Sequence, residues 1–273
     1  MALGYHAPRP RIAGRVLLDP KNGPDHDLPP PLTPPRAYVV ASLPRTGSTL
    51  LCDALWATRL AGAPQEHLNP MQLRDWSLRA GRWPYAVIRG PLLALVARRG
   101  LTTAQLQAHL DRVRAARSSG GLYGLKLHAH HLTRRFPSGD VEALLGPIRW
   151  IYVTREDKLS QAISWARAQQ TGAWASWQRA DLPPVYSRRR ITRCLEQIHA
   201  GEATWEAHFA ARGVTPLRLS YERLAADLQG AVRAALAWLE VPGADGVEVP
   251  PPRLKRQADG VSAAWRARFE AGG

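Results

Sequence analysis

The stretch AYVVASLPRTGSTLL, Ala37 to Leu51, runs from an apolar segment through a short turn into a helical pattern. AYVVAS is rich in apolar and β-branched residues and bounded by LPRTG, which predicts a buried strand. Beyond the turn, Leu51, Leu55 and Thr58 recur at helical spacing, with Leu50 and Ala54 filling the same side. A strand, a tight glycine turn and a helix start in succession aim several backbone N–H groups at one anion, and the helix dipole adds to their pull. Gly47 lets the backbone approach a ligand with no side chain in the way. Thr46, Ser48 and Thr49 bring hydroxyl donors, and Arg45 brings a charge-assisted one. A plain capped helix start explains one hydroxyl, and less easily an arginine, a glycine and three hydroxyls together.

Working outward, TTAQLQAHLDRVRAAR reads as a helix before GLYGLKLH, a second strand, and IRWIYVT from Ile148 is a third. DKLSQAISWARAQQ sets Leu159, Ile163 and Ala166 on one face, with Asp157 placed to cap its first turn. TPLRLSY from Thr215 reads as a fourth strand, and YERLAADLQGAVRAALAWL as a single amphipathic helix carrying Leu224, Leu228, Val232 and Leu236. Strands separated by helices predict an α/β three-layer fold of the P-loop type, a central parallel sheet flanked by helices. Ligands in such sheets sit beyond the C-terminal strand ends, where Ser42 to Thr49 emerge. Residues 1–36, dense in proline, read as an extended, weakly ordered arm packed on a domain of residues 37–273.

The chain has 273 residues and 45% hydrophobic content, enough for one substantial core. No apolar run is long enough to span a membrane, and the N-terminus lacks the features of a secretory signal. Cys52 and Cys194 lie in apolar helical patterns and read as buried thiols in a reducing cytoplasm. Thirty-seven Lys and Arg against twenty-two Asp and Glu give a formal charge of +15, which suits nucleic acid, an acidic surface or a multiply anionic small ligand. Arginines scattered along helices, as in RLAG, RVRAAR and WRARF, read as solvated faces, and Arg188 to Arg190 form a denser run at a helix start. No zinc-finger spacing or RNP motif accompanies them, so no nucleic-acid partner is expected.

With Gly47 aligned to the second glycine of GxxxxGK[ST], Ser42 takes the first glycine position and Ser48 replaces the lysine. A triphosphate is therefore a poor ligand. PRTGSTLL instead resembles the 5′-phosphosulfate loop of sulfotransferases that use 3′-phosphoadenosine-5′-phosphosulfate (PAPS). GAPQEHLNP from Gly62 is similar to the bacterial carbohydrate branch of that family, typified by trehalose 2-sulfotransferase. TREDKLSQAISW from Thr154 resembles the family's 3′-phosphate segment, and RQADGVSAAW from Arg256 its C-terminal segment. The resemblance spans about residues 37–270, in the family's order.

The resemblance implies PAPS as donor, with no metal, held by Pro44, Arg45, Thr46, Gly47, Ser48, Thr49, Arg155, Ser164 and Arg256. Ser164 matches a Gln-Ala-x-Ser pattern, while helix-start physics leaves Ser160 open. It also implies Glu66 as general base, with Gln65 beside it and Arg45 steadying charge. Lys126 and His128, two apart on one face of the second strand, form a rival pair with His128 as base. His130 and His131 read as polar lining. Trp165, Trp174 and Trp177 cluster around AQQTGAWASW, where indole faces stack on sugars and Gln169, Gln170 and Thr171 offer hydrogen bonds. The expected acceptor is a carbohydrate or glycolipid hydroxyl, trehalose among the candidates, and a homodimer is the family expectation. The alternatives are a nucleotide-dependent kinase and a non-enzymatic nucleic-acid or anionic-surface binder.

Overall fold

The computed structural model describes residues 11–12, 15–81, 101–136, 140–174, 182–251 and 259–272. The chain forms two compact units, residues 1–39 with 59–149 and residues 40–58 with 150–273. A two-residue hairpin pairs β1 (Arg11–Ile12) with β2 (Arg15–Val16). The strands β3 (Arg36–Ser42), β4 (Leu122–His128), β5 (Ile148–Thr154) and β6 (Leu217–Ser220) form a parallel sheet in the order β4-β3-β5-β6. Six of the seven residues of β3 and all of β4 are buried, as strands covered on both faces must be. The register of β5 on β6 runs from Ile151 opposite Leu217 to Thr154 opposite Ser220.

In the first unit, α2 (Pro70–Arg79) and α3 (Thr103–Arg117) are followed by α4 (Ala129–Arg135) and the short α5 (Glu142–Leu145). A reciprocal Thr102–Gln105 capping box starts α3. Asn69 caps α2 with Pro70 at its first position, a helix-start signal present in the sequence. The second unit holds α1 (Ser48–Thr58), α6 (Lys158–Thr171), α7 (Arg188–Ala211), α8 (Tyr221–Ala226), α9 (Leu228–Trp238) and α10 (Gly260–Glu270). Its core holds Trp150, Trp205 and Phe209, with Trp205 stacked on Phe209 and Trp150 edge-on to both. Asp157 accepts Ser160 N–H at 3.0 Å and caps α6, as the pattern predicts. Cys52 and Cys194 are buried free thiols. Among the described residues no helix is long and apolar enough to cross a membrane.

Two expectations need correction. Tyr221 to Trp238 is not one helix: Asp227 leaves helical geometry (φ −146°, ψ 82°), ends α8, and caps α9 by accepting Gly230 N–H at 2.8 Å. The aspartate offers the backbone a non-helical alternative that the apolar periodicity does not register. Arg117, in RVRAAR, is no solvated face either. It is fully buried, and its guanidinium donates to the carbonyls of Lys21 (2.9 Å) and His26 (2.7 Å) and pairs with Asp27.

Those contacts tie residues 15–28 into the first unit. Asp75, also fully buried, accepts from the backbone N–H groups of Leu18 (3.1 Å) and Asp19 (2.9 Å), from Asn22 Nδ2 (3.1 Å) and from Arg74 (2.8 Å). The Trp76 ring has two guanidinium groups over it, Arg79 at 4.2 Å and Arg117 at 5.0 Å, and both arginines reach Asp27.

Candidate active site

The β3–α1 turn, residues 43–47, lies in the second unit. Arg45 adopts a left-handed φ of 69° and Gly47 a φ of 79°. The Gly47 carbonyl accepts Leu50 N–H at 2.9 Å, so the first turn of α1 closes on the glycine. A Cβ at Gly47 would meet the Tyr221 ring at 2.7 Å, so the position needs glycine for space as well as for φ. Thr46 is buried, and its hydroxyl donates to the Leu43 carbonyl at 3.0 Å, inside the loop. Pro44 and Ser48 are buried, while Thr49 is exposed on the first turn of α1.

Arg45 and Ser164, distant in sequence, meet: Arg45 Nε donates to Ser164 Oγ at 2.8 Å, and Nη1 donates to the Trp174 carbonyl. Burial and the neighbouring Arg155 and Arg167 push the Arg45 guanidinium down to about 10, still charged at neutral pH. Arg155 lies over the Tyr221 ring at 4.5 Å. Ser160 faces elsewhere, accepting from Arg266 at 3.0 Å. Arg167 forks onto Asp259 (2.7 and 2.8 Å), joining α6 to the start of α10. Three guanidinium groups near one amide-rich turn make this region attractive to a multiply charged anion.

Two residues of this region escape the sequence reading. Tyr221 follows the end of β6, next to the β5 end that presents Arg155, which is the signal that marks it. Gln161, fully buried on α6, donates Nε2 to the Pro44 carbonyl at 2.9 Å and braces the loop. It sits at the Gln of the Gln-Ala-x-Ser pattern.

The first unit holds the carboxylate chemistry. Gln65 pairs with β4 across an isolated bridge to Leu125, its carbonyl accepting Lys126 N–H at 2.9 Å. That pairing brings Glu66 to the end of the strand, where Oε1 meets Lys126 Nζ at 2.8 Å and His128 Nε2 at 3.2 Å. The two rival bases of the sequence thus belong to one hydrogen-bonded cluster. Burial raises the proton affinity of Glu66, yet Lys126, then His128 and His131, outweigh it and hold the carboxyl well below its usual range. Partial desolvation pushes His130 down to about 4 and burial holds His131 well below the usual imidazole range, so both rings are neutral at neutral pH.

Trp174 is 43% exposed. Gln170 and Thr171 hydrogen-bond within the protein, to Val185 N–H (3.0 Å) and the Arg167 carbonyl (3.0 Å). Trp177 and Arg256 lie outside the described residues.

The sequence matches the Stf0 sulphotransferase family over residues 37–272. It is 29% identical to a trehalose 2-sulfotransferase of Mycobacterium tuberculosis over 86% of this chain and 95% of that protein. It is 30% identical to a trehalose 2-sulfotransferase of Mycolicibacterium smegmatis over 86% of this chain and 94% of that one. The sulfotransferase domain from the Curacin biosynthetic pathway aligns with 77% of this chain and 75% of its own, at a TM-score of 0.46 and 18% identity. A family match that begins in β3 and runs to the last helix places this chain among the Stf0 sulphotransferases.

Proposed function

We propose that the chain moves the sulfuryl group of PAPS to a hydroxyl of a carbohydrate, a trehalose-like disaccharide or its glycolipid, in the cytoplasm. Support for the donor comes from the β3–α1 turn, where Arg45, its partner Ser164, and Arg155 accompany backbone amides without a Walker lysine. Support for the acceptor comes from the names of the relatives and from Glu66 with Gln65 beside it. PAPS supplies an activated sulfur and a leaving bisphosphate. The β3–α1 turn, Arg45, Arg155 and Ser164 bind and orient it, and the positive charges offset what develops on the departing phosphate. Glu66 takes the acceptor's proton as the new O–S bond forms and the S–O bond to the phosphate breaks.

A carboxylate held so far below its usual range is a weak base. It suits a loose transition state in which the hydroxyl's proton leaves late, by analogy with phosphoryl transfer. The cluster that carries this reading, Glu66 Oε1 with Lys126 and His128, also supports a second one. In that reading His128 would take the proton, and Glu66, bonded to its Nε2, would orient the ring.

Glu66→Gln and His128→Gln, assayed for PAPS turnover with saturating sugar, separate the two. Gln at 128 keeps a donor toward Glu66 but offers no base. With Glu66 as base, E66Q falls by about 10²–10⁴-fold and H128Q stays within about tenfold. Near-normal turnover in E66Q contradicts both readings, and loss in H128Q as deep as in E66Q favours His128.

A further inference from the structure

Asn69 does two things with one side-chain amide. Its Oδ1 accepts Met71 N–H at 3.1 Å and caps α2. With Oδ1 committed to the cap, Nδ2 is the atom turned toward Glu66, and it donates to Oε2 at 3.2 Å. The Asn69 backbone N–H also donates to the Glu66 carbonyl at 2.7 Å. Oε1 already takes Lys126 and His128, so each carboxylate oxygen has a donor from a different element and the plane of the group is fixed. The helix bearing the cap is anchored at the buried Asp75, so Asn69 is not a free loop amide.

We infer that Asn69 is a positioning residue for the proton acceptor: it locks the Glu66 carboxylate and leaves Oε2 the oxygen that meets the acceptor hydroxyl. This rests on Glu66 being the base. The charged and titratable groups facing Glu66 are Lys126 and His128 from β4 and His130 and His131 from α4. Asn69 adds a neutral donor, from the cap of α2, at the oxygen those groups do not hold.

Asp and Ser cap helices as well as Asn does, so both can replace Asn69 without undoing α2. Asn69→Ser keeps the cap and loses the reach to Oε2. Asn69→Asp keeps the cap but sets a second carboxylate beside the first, and two such groups resist ionising together, so the pair takes up a proton at higher pH. The experiment measures melting temperature and the pH dependence of PAPS-dependent turnover for wild type, N69S, N69D and E66Q.

The expected result is near-wild-type melting for N69S and N69D. N69S loses about tenfold in kcat, with little change in the KM for PAPS. N69D loses activity on acidification to about pH 5, where the wild type stays level. N69D and wild-type profiles that superimpose while E66Q is inactive overturn the inference and leave Asn69 a helix cap. Activity losses matched by falls in melting temperature in both variants overturn it equally. Full turnover in E66Q removes Glu66 as base and the inference with it, so the two failures are distinct.

Discussion

Glu66 sets a burial penalty, which favours the neutral acid, against the Lys126 ammonium and the hydrogen bond from His128, which favour the anion, and these outweigh it. The folded-state pKa is lowered, so the stability this carboxylate contributes is present above its unfolded value near 4.5 and is lost as pH falls toward the folded value. Lys126 is the largest of the opposing charges and is 4% exposed. Lys126→Met therefore fills the space and removes the charge. The expected outcome is a rise in the Glu66 pKa, an acid limb moved to higher pH, and a fall of about 10–100-fold in turnover, read from a pH–rate profile. The sequence places Lys126 and His128 on one face of a strand, which holds. That Glu66 meets them depends on Gln65 pairing with β4, a contact between residues sixty positions apart in the chain that no local pattern encodes.

The β3–α1 turn is the element whose chemistry is most legible, because strand, glycine and helix follow one another within a few residues. What stays hidden is its bracing: Gln161 on Pro44, the Tyr221 ring over Gly47, and Ser164 on Arg45 all come from elsewhere in the chain. Arg45 with φ at 69° is a strained residue, and such strain persists when the surroundings fix it. Gly47→Ala should combine an unfavourable φ with a clash on Tyr221. A loss of about 1–3 kcal/mol of stability and a donor Kd weakened by at least tenfold are expected, from denaturant unfolding and calorimetric titration of the 3′,5′-bisphosphate. The break between α8 and α9 shows the converse limit: apolar spacing continues through Asp227 while the backbone does not. Asp227→Ala removes the cap of α9 and should cost about 1 kcal/mol in the same unfolding measurement.

At the scale of the whole chain, the class of fold follows from the alternation of strands and helices, whereas the roles of the charges do not. Asp75 and Arg74 are fully buried partners, and Asp75 also holds the backbone of Leu18 and Asp19. Composition counts these as two charges among many, since burial is a property of the fold. Asp75→Ala leaves Arg74 buried without its carboxylate and should destabilise the protein by about 3–5 kcal/mol. The buried histidines set the acid limit. Burial pushes His109 down to about 4 and holds His67 and His131 well below the usual imidazole range. Between about pH 6.5 and 4 the unfolded chain therefore binds more protons than the folded one, so stability rises with pH across that window and is lost on acidification. Melting temperature should fall steadily from pH 6.5 to 4, and His109→Gln should flatten that slope.

Sulfuryl transfer from PAPS to a sugar hydroxyl is tested by incubating the full chain with PAPS and trehalose or related bacterial sugars and following both products by mass spectrometry. One sulfated sugar should form for each 3′,5′-bisphosphate released, with product lost in Arg45→Ala. Failure of PAPS to bind, or bisphosphate released with no sulfated sugar from any acceptor offered, would contradict it.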